Sequence, residues 1–279
     1  MQLHIEMQGT GFPILCLHGH PGSGRAMSVF TDHLSQRFWT IAPDLRGYGK
    51  SQAKGKFTMA DHLQDLQDLL EELQIQRCLL LGWSLGGILA LELALRFQER
   101  FSGLILVASA ARPRSSHPRA TWQDLLYTGI AGSLNGLYPG WEWNIKTFGQ
   151  RSLFRYLFGT HSREAYRYLA AHGVPAYLNT SQGAQKALTE ALKQGYDRTP
   201  DLAHLHLPCL LLAGENDRHI TAQSSRETAQ TIPYSQWHCY PKVAHLFPWE
   251  IPTQVQTTID HWLIDHSALG VTSNLRAES

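Results

Sequence analysis

Cys78-Leu79-Leu80-Leu81 is a continuous apolar run, Gly82-Trp83-Ser84-Leu85-Gly86 a turn flanked by glycines, and Ile88-Leu89-Ala90-Leu91 the start of an apolar helical pattern. No other stretch of the chain constrains the fold as tightly. A strand that is apolar at successive positions has both faces covered, and a helix arriving within a few residues supplies one of the covers. The pattern recurs along the chain: strands are predicted over residues 13–19, 39–44, 77–83, 102–110, 208–215 and 235–240, with 3–7 as an antiparallel edge strand. Helices are predicted over residues 24–37, 58–73, 84–97, 222–232 and 252–266. In the second of these, Leu63, Leu66, Leu69, Leu70 and Leu73 fall on one face and Gln64, Asp65, Asp68 and Glu71 on the other, so that helix covers the sheet. The expected class is α/β, a mostly parallel twisted sheet with helices on both faces.

The alternation breaks after Ala110 and resumes near Pro208. Residues 112–200 hold 13 of the 28 aromatic residues, and 11 Lys and Arg against 5 Asp and Glu. An inserted helical cap, or lid, is expected there, over a core made of residues 1–111 and 201–279. A chain of 279 residues can bury about three quarters of its unfolded surface, so no disulfide staples are needed. Cys16, Cys78, Cys209 and Cys239 lie far apart and are expected to be buried and reduced. With 43% hydrophobic and 17% charged residues the composition excludes disordered and fibrous classes. A net charge of +1 gives no overall field to attract nucleic acid or an anionic membrane, although local charge is a separate matter. No basic region followed by an apolar core opens the chain, and no run of 18 apolar residues occurs, so a cytoplasmic protein without a membrane span is expected. Residues 267–279 read as a frayed tail.

A serine on a tight strand-to-helix turn has its hydroxyl lifted clear of the sheet, at a helix N-terminus whose partial positive charge favours a developing anion. The bland alternative is a serine that merely caps a helix. At neutral pH a serine hydroxyl is a poor nucleophile, so it needs a base, and the base needs a carboxylate to orient it and stabilise its charged form. Asp217 and His245 follow Ser84 in the chain, each just past a predicted strand.

Four motifs occur in an order that resembles the α/β-hydrolase superfamily. They are His18-Gly19-His20-Pro21-Gly22, Asp44-Leu45-Arg46-Gly47-Tyr48-Gly49-Lys50-Ser51, the Ser84 turn, and Gly214-Glu215-Asn216-Asp217 followed by His245. The resemblance covers nearly all of the chain outside the insertion. It implies an α/β-hydrolase fold with Ser84 as nucleophile, His245 as general base and Asp217 as the orienting acid. Glu215 is the rival acid, and the family spacing Gly-x-x-Asp favours Asp217. Ala244 stands where the family usually has Gly before its histidine. The resemblance also implies an oxyanion hole made by the backbone N–H groups of His20 and Leu85. The His20 imidazole either enters the pocket or plays no part beyond its backbone.

Trp83, Phe247 and Trp249 flank the expected nucleophile and base, and either wall an acyl pocket or belong to the core. Arg151 with Arg155, and Arg163 with Arg167, have i,i+4 spacing, which on helices gives a basic face that either docks an acidic carrier protein or is simply solvated. His18-x-His20 and His204-x-His206 lack the further ligands of a zinc site, and Gly19, Gly22 and Gly24 form neither nucleotide-loop pattern. No metal and no cofactor is therefore expected.

The turn containing Ser84 is similar to that of carboxylesterases acting on pimeloyl carrier protein methyl esters, and ester hydrolysis through an acyl-enzyme is the leading expectation. Carbon–carbon hydrolysis, amide cleavage, a lyase reaction and a binding protein with little turnover share the same three residues. A serine at the turn argues against the haloalkane dehalogenase and epoxide hydrolase branches, which the resemblance associates with aspartate there.

Overall fold

The computed structural model describes residues 1–266, so the tail expected at 267–279 lies outside the described residues. Strands β1 (Ile5–Gln8), β2 (Pro13–Leu17), β3 (Trp39–Pro43), β4 (Cys78–Trp83), β5 (Phe101–Val107), β6 (Cys209–Gly214) and β7 (Ser235–Tyr240) form a single sheet. Its order is β1-β3-β2-β4-β5-β6-β7. β1 runs antiparallel to β3, and every other pair is parallel.

Burial follows position in the sheet. Every residue of β4, β5 and β6 is buried, because these central strands carry helices on both faces. Successive residues point to opposite sides: Leu80, Leu104 and Leu211 join one core with the helices α2 (Met59–Glu72) and α3 (Leu85–Arg96). Leu79, Ile105 and Leu212 join the other, with α1 (Ser28–Leu34) and a C-terminal helix at Pro252–Asp265. β7 is at the sheet edge, and Gln236, Trp237 and His238 on it are exposed. For the same reason Cys239 is half-buried, not buried as expected, whereas Cys16, Cys78 and Cys209 are wholly inside.

The helix expected over residues 24–37 is shorter. A 3-10 turn, Gly24–Met27, precedes α1, and the Asp44 carboxylate accepts the Gly24 N–H at 2.7 Å.

Between β5 and β6 the chain forms α4 (Trp122–Leu137), α5 (Glu142–Thr147), α6 (Arg163–Tyr168), α7 (Val174–Leu178) and α8 (Gln182–Lys193). Both ends of this segment meet, since the Arg198 N–H donates to the Ala111 carbonyl at 2.9 Å. α4 begins with a capping box in which the Thr121 N–H donates to Asp124 at 2.8 Å and the Asp124 N–H donates to the Thr121 hydroxyl at 3.2 Å. Its inward stripe is latched by polar groups. Asp124 accepts from Arg155 at 2.8 Å, and the Asn135 amide donates to the Tyr166 carbonyl at 2.7 Å. α8 instead joins the sheet core through Ala184 and Ala187.

After β6 come α9 (Ala222–Thr231), α10 (Phe247–Glu250) and α11 (Pro252–Asp265). Among the described residues no helix is long and apolar enough to cross a membrane.

Candidate active site

Ser84 sits between β4 and α3 with φ 54° and ψ −113°, a backbone conformation that non-glycine residues rarely adopt. Surrounding bonds impose it. The Ser84 N–H donates to the Val107 carbonyl at 2.9 Å, and the Ser84 carbonyl accepts from the Gly87 N–H at 3.0 Å and the Ser109 hydroxyl at 3.0 Å. A Cβ on Gly82 would overlap the Gly86 carbonyl, and one on Gly86 would overlap the Leu17 carbonyl. Glycine at both positions is what lets strand and helix approach closely enough for the sharp turn.

β6 and β7 deliver the other two side chains. The loop after β6 carries Asp217, and the loop after β7 carries His245; both are buried. His245 Nδ1 lies 2.7 Å from Asp217 Oδ2, and His245 Nε2 lies 3.0 Å from Ser84 Oγ. With the Nδ1 proton directed to the carboxylate, Nε2 is left as the acceptor for the serine proton. The second Asp217 oxygen accepts the N–H groups of His219 at 2.8 Å and Ile220 at 3.1 Å, which fixes the carboxylate. Glu215 is exposed and accepts the Lys242 N–H at 2.9 Å, away from the imidazole.

Opposite the serine lies the loop after β2. A Cβ on Gly19 would stand 3.9 Å from Ser84 Oγ, so this backbone passes directly beside the hydroxyl. The backbone N–H groups of His20 and Leu85 donate to no acceptor among the described residues. Leu85 directly follows Ser84, and His20 directly follows Gly19 on the loop beside the hydroxyl. The His20 imidazole itself is occupied, with Nδ1 2.8 Å from the Tyr48 hydroxyl.

His18 holds this loop in place. Its Nδ1 donates to the Gly19 carbonyl at 2.8 Å, and its Nε2 accepts the Leu45 N–H at 3.0 Å, an arrangement only the neutral ring can make. Burial lowers the His18 pKa from 6.5 to about 4 and does the same to His62. Unfolded, both rings bind a proton that the fold excludes. Their contribution to stability is therefore complete above about pH 6.5 and is lost as pH falls toward 4. Thermal unfolding followed across that window should show a falling midpoint, less steep in His62→Gln; a flat midpoint would contradict the burial argument.

Two further features escaped the sequence reading. The His219 ring packs on His245 at 4.9 Å between centroids and its Nε2 meets His117 Nε2 at 2.9 Å, with burial keeping His219 far below its ordinary pKa and so neutral. Glu250, raised in pKa by burial, accepts the N–H groups of Ala244 at 2.9 Å, Gly159 at 3.2 Å and Thr160 at 2.5 Å. It thereby ties the His245 loop to the segment between β5 and β6. Nothing in their spacing could have revealed either link, because His117 lies 102 residues from His219, and Gly159 and Thr160 lie 91 and 90 from Glu250.

A sequence profile of the alpha/beta hydrolase fold family matches residues 13–252. The chain belongs to this family. The hydrolase is similar to a 2-hydroxymuconate semialdehyde hydrolase of Pseudomonas putida, at 29% identity over 95% of this chain and 92% of the relative. It is also similar to a pimeloyl-[acyl-carrier protein] methyl ester esterase of Aeromonas hydrophila subsp. hydrophila, at 28% identity over 94% of this chain and the whole of that one. Among solved structures, a thermophilic esterase from Thermogutta terrifontis superposes with a TM-score of 0.67 at 28% identity, covering 95% and 93% of the two chains.

The remaining expected residues fare unevenly in the hydrolase. Trp83 and Trp249 are buried edge-to-face at 5.2 Å, and Phe247 is wholly enclosed against Tyr240. Arg151 and Arg155 do not share a helix. They fall on separate 3-10 turns, and the Arg155 guanidinium is committed to Asp124 and to the Arg151 carbonyl. Arg163 and Arg167 do share a face of α6, and both are exposed. Among the described residues no cluster of three or more His, Cys, Asp or Glu is arranged to hold a metal ion.

Proposed function

We propose that this hydrolase cleaves a carboxylic ester through an acyl-enzyme, with Ser84 as nucleophile, His245 as base and Asp217 as the acid that orients it. One observation carries the reading: the hydrogen-bonded chain Ser84–His245–Asp217 ends on a serine held at positive φ beside two free backbone donors. In the first step the Ser84 proton passes to His245 Nε2 as Oγ bonds to the ester carbonyl carbon, and the oxyanion takes the N–H groups of His20 and Leu85. Asp217 stabilises the imidazolium. Collapse of the adduct breaks the bond to the alkoxy group, which leaves as alcohol with the proton from His245. Water then attacks the acyl carbon, giving its proton to His245, and the acid departs as Ser84 Oγ is reprotonated. In this scheme residues 112–200 act as the cap.

A methyl ester on a carrier protein is the finer form of this proposal, supported by the name of the Aeromonas relative and by the exposed Arg163 and Arg167. Carbon–carbon hydrolysis is the second reading, favoured by the Pseudomonas relative. Release of nitrophenol from p-nitrophenyl esters of increasing acyl length tests the first. Turnover on one part of that series is expected, and Arg163→Glu with Arg167→Glu should impair only carrier-linked esters. No ester turnover, together with hydrolysis of 2-hydroxymuconate semialdehyde, would replace ester hydrolysis by the second reading.

A further inference from the structure

α4 extends about 24 Å, at 1.5 Å per residue, and Asp124, turned inward onto Arg155, is its only charged residue. Its other face has no protein cover among the described residues. Trp122 is 71% exposed and Leu137 72%, with Leu126 between them, and the apolar surface runs on through Tyr138, Trp141 and Trp143. A Cβ on Gly129 or Gly136 would meet nothing within 4 Å, so the middle and end of the helix are open as well. Tyr138, Trp141 and Trp143 lie together, with ring centroids 5.7 Å and 4.9 Å apart in turn. Single exposed apolar side chains are ordinary, but a continuous uncharged face with aromatic residues at both ends is not.

Charge around this face has one predominant sign. Arg119, Lys146, Arg151, Arg163 and Arg167 are exposed on the flanking segments, against Glu142 and Glu164. Glu142 lies 4.0 Å from Lys146. The basic side chains reach the aromatic end of α4, since a Cβ on Gly140 would touch Arg167 Cγ at 3.2 Å. An apolar helical face bearing Trp and Tyr and rimmed by cations has the chemistry of a segment lying in the plane of a lipid–water interface. A second copy of the chain is a poor occupant, because facing copies would bring two basic rims together.

We propose that the α4 face docks the protein on a lipid surface carrying anionic headgroups. The apolar side chains enter the headgroup and acyl boundary while the rim pairs with lipid phosphates. The purified chain sedimented with vesicles of phosphatidylcholine, or of phosphatidylcholine containing phosphatidylglycerol, tests this without any turnover, so its outcome is separate from the reading of Ser84. Binding is expected to the anionic vesicles and to weaken with salt. Arg163→Gln and Arg167→Gln should each lower partitioning roughly fivefold. Leu126→Glu should abolish it while leaving the melting temperature unchanged, since Leu126 is exposed.

Failure to sediment with anionic vesicles would overturn the proposal, as would equal binding to the zwitterionic vesicles or binding that survives Leu126→Glu. A vesicle-free dimer dissociated by Leu126→Glu would assign the face to a second copy. Retention of an acidic carrier protein without vesicle binding would assign the rim to a protein partner. Either result would overturn it.

Discussion

Ser84→Ala is expected to lower turnover of a reactive p-nitrophenyl ester roughly 10,000- to 1,000,000-fold, with little change in melting temperature. The bonds that hold the turn run through the backbone of residue 84, and its side chain contributes only the Oγ that meets His245. Alanine therefore keeps the scaffold and deletes the proposed nucleophile. In the proposed mechanism the three side chains act as a unit, so Ser84→Ala combined with His245→Ala should be little slower than Ser84→Ala alone. Steady-state rates and thermal melts of the single and the double variant check both statements. Activity within tenfold of wild type in Ser84→Ala would remove the serine from the mechanism.

Asp217→Asn should cost roughly 1,000- to 10,000-fold in turnover, whereas Glu215→Gln should change it by less than about twofold. An amide at position 217 no longer stabilises the imidazolium and can donate to His245 Nδ1, which leaves the proton on Nε2, where Ser84 needs an acceptor. Among the described residues the Glu215 carboxylate has a single hydrogen bond, from the Lys242 N–H. Equal losses in both variants, measured on one ester under one buffer, would show that the carboxylates share the role.

These two acids illustrate what sequence could and could not provide. Their order relative to Ser84 and His245 was legible, and so was the parallel sheet, because β4 and β6 are apolar at nearly every position and only a doubly covered strand reads that way. Which acid reaches the imidazole depends on how the loop after β6 folds back, and that is set by the His219 and Ile220 N–H groups that grip Asp217. His117 and Glu250 act through contacts across roughly a hundred residues of chain, which no local pattern encodes. The paired spacing of Arg151 and Arg155 suggested a shared helical face, but Ser152 between them is extended and breaks the helix into two turns. Spacing carries meaning only once the element is known.

Trp83 precedes Ser84 directly and Trp249 follows His245 by four residues, and both belong to a packed aromatic series that runs from Phe30 through Trp83 and Trp249 to Tyr168. The series joins α1 to α6.

The most direct test of the central claim is intact mass and peptide mapping of the protein quenched in acid during turnover of a p-nitrophenyl ester. With so good a leaving group acylation outpaces deacylation, and the acyl group should accumulate. The expected result is one acyl group per chain, mapped to Ser84 and absent in Ser84→Ala; an acyl group on another residue, or turnover with no adduct in either protein, would contradict it.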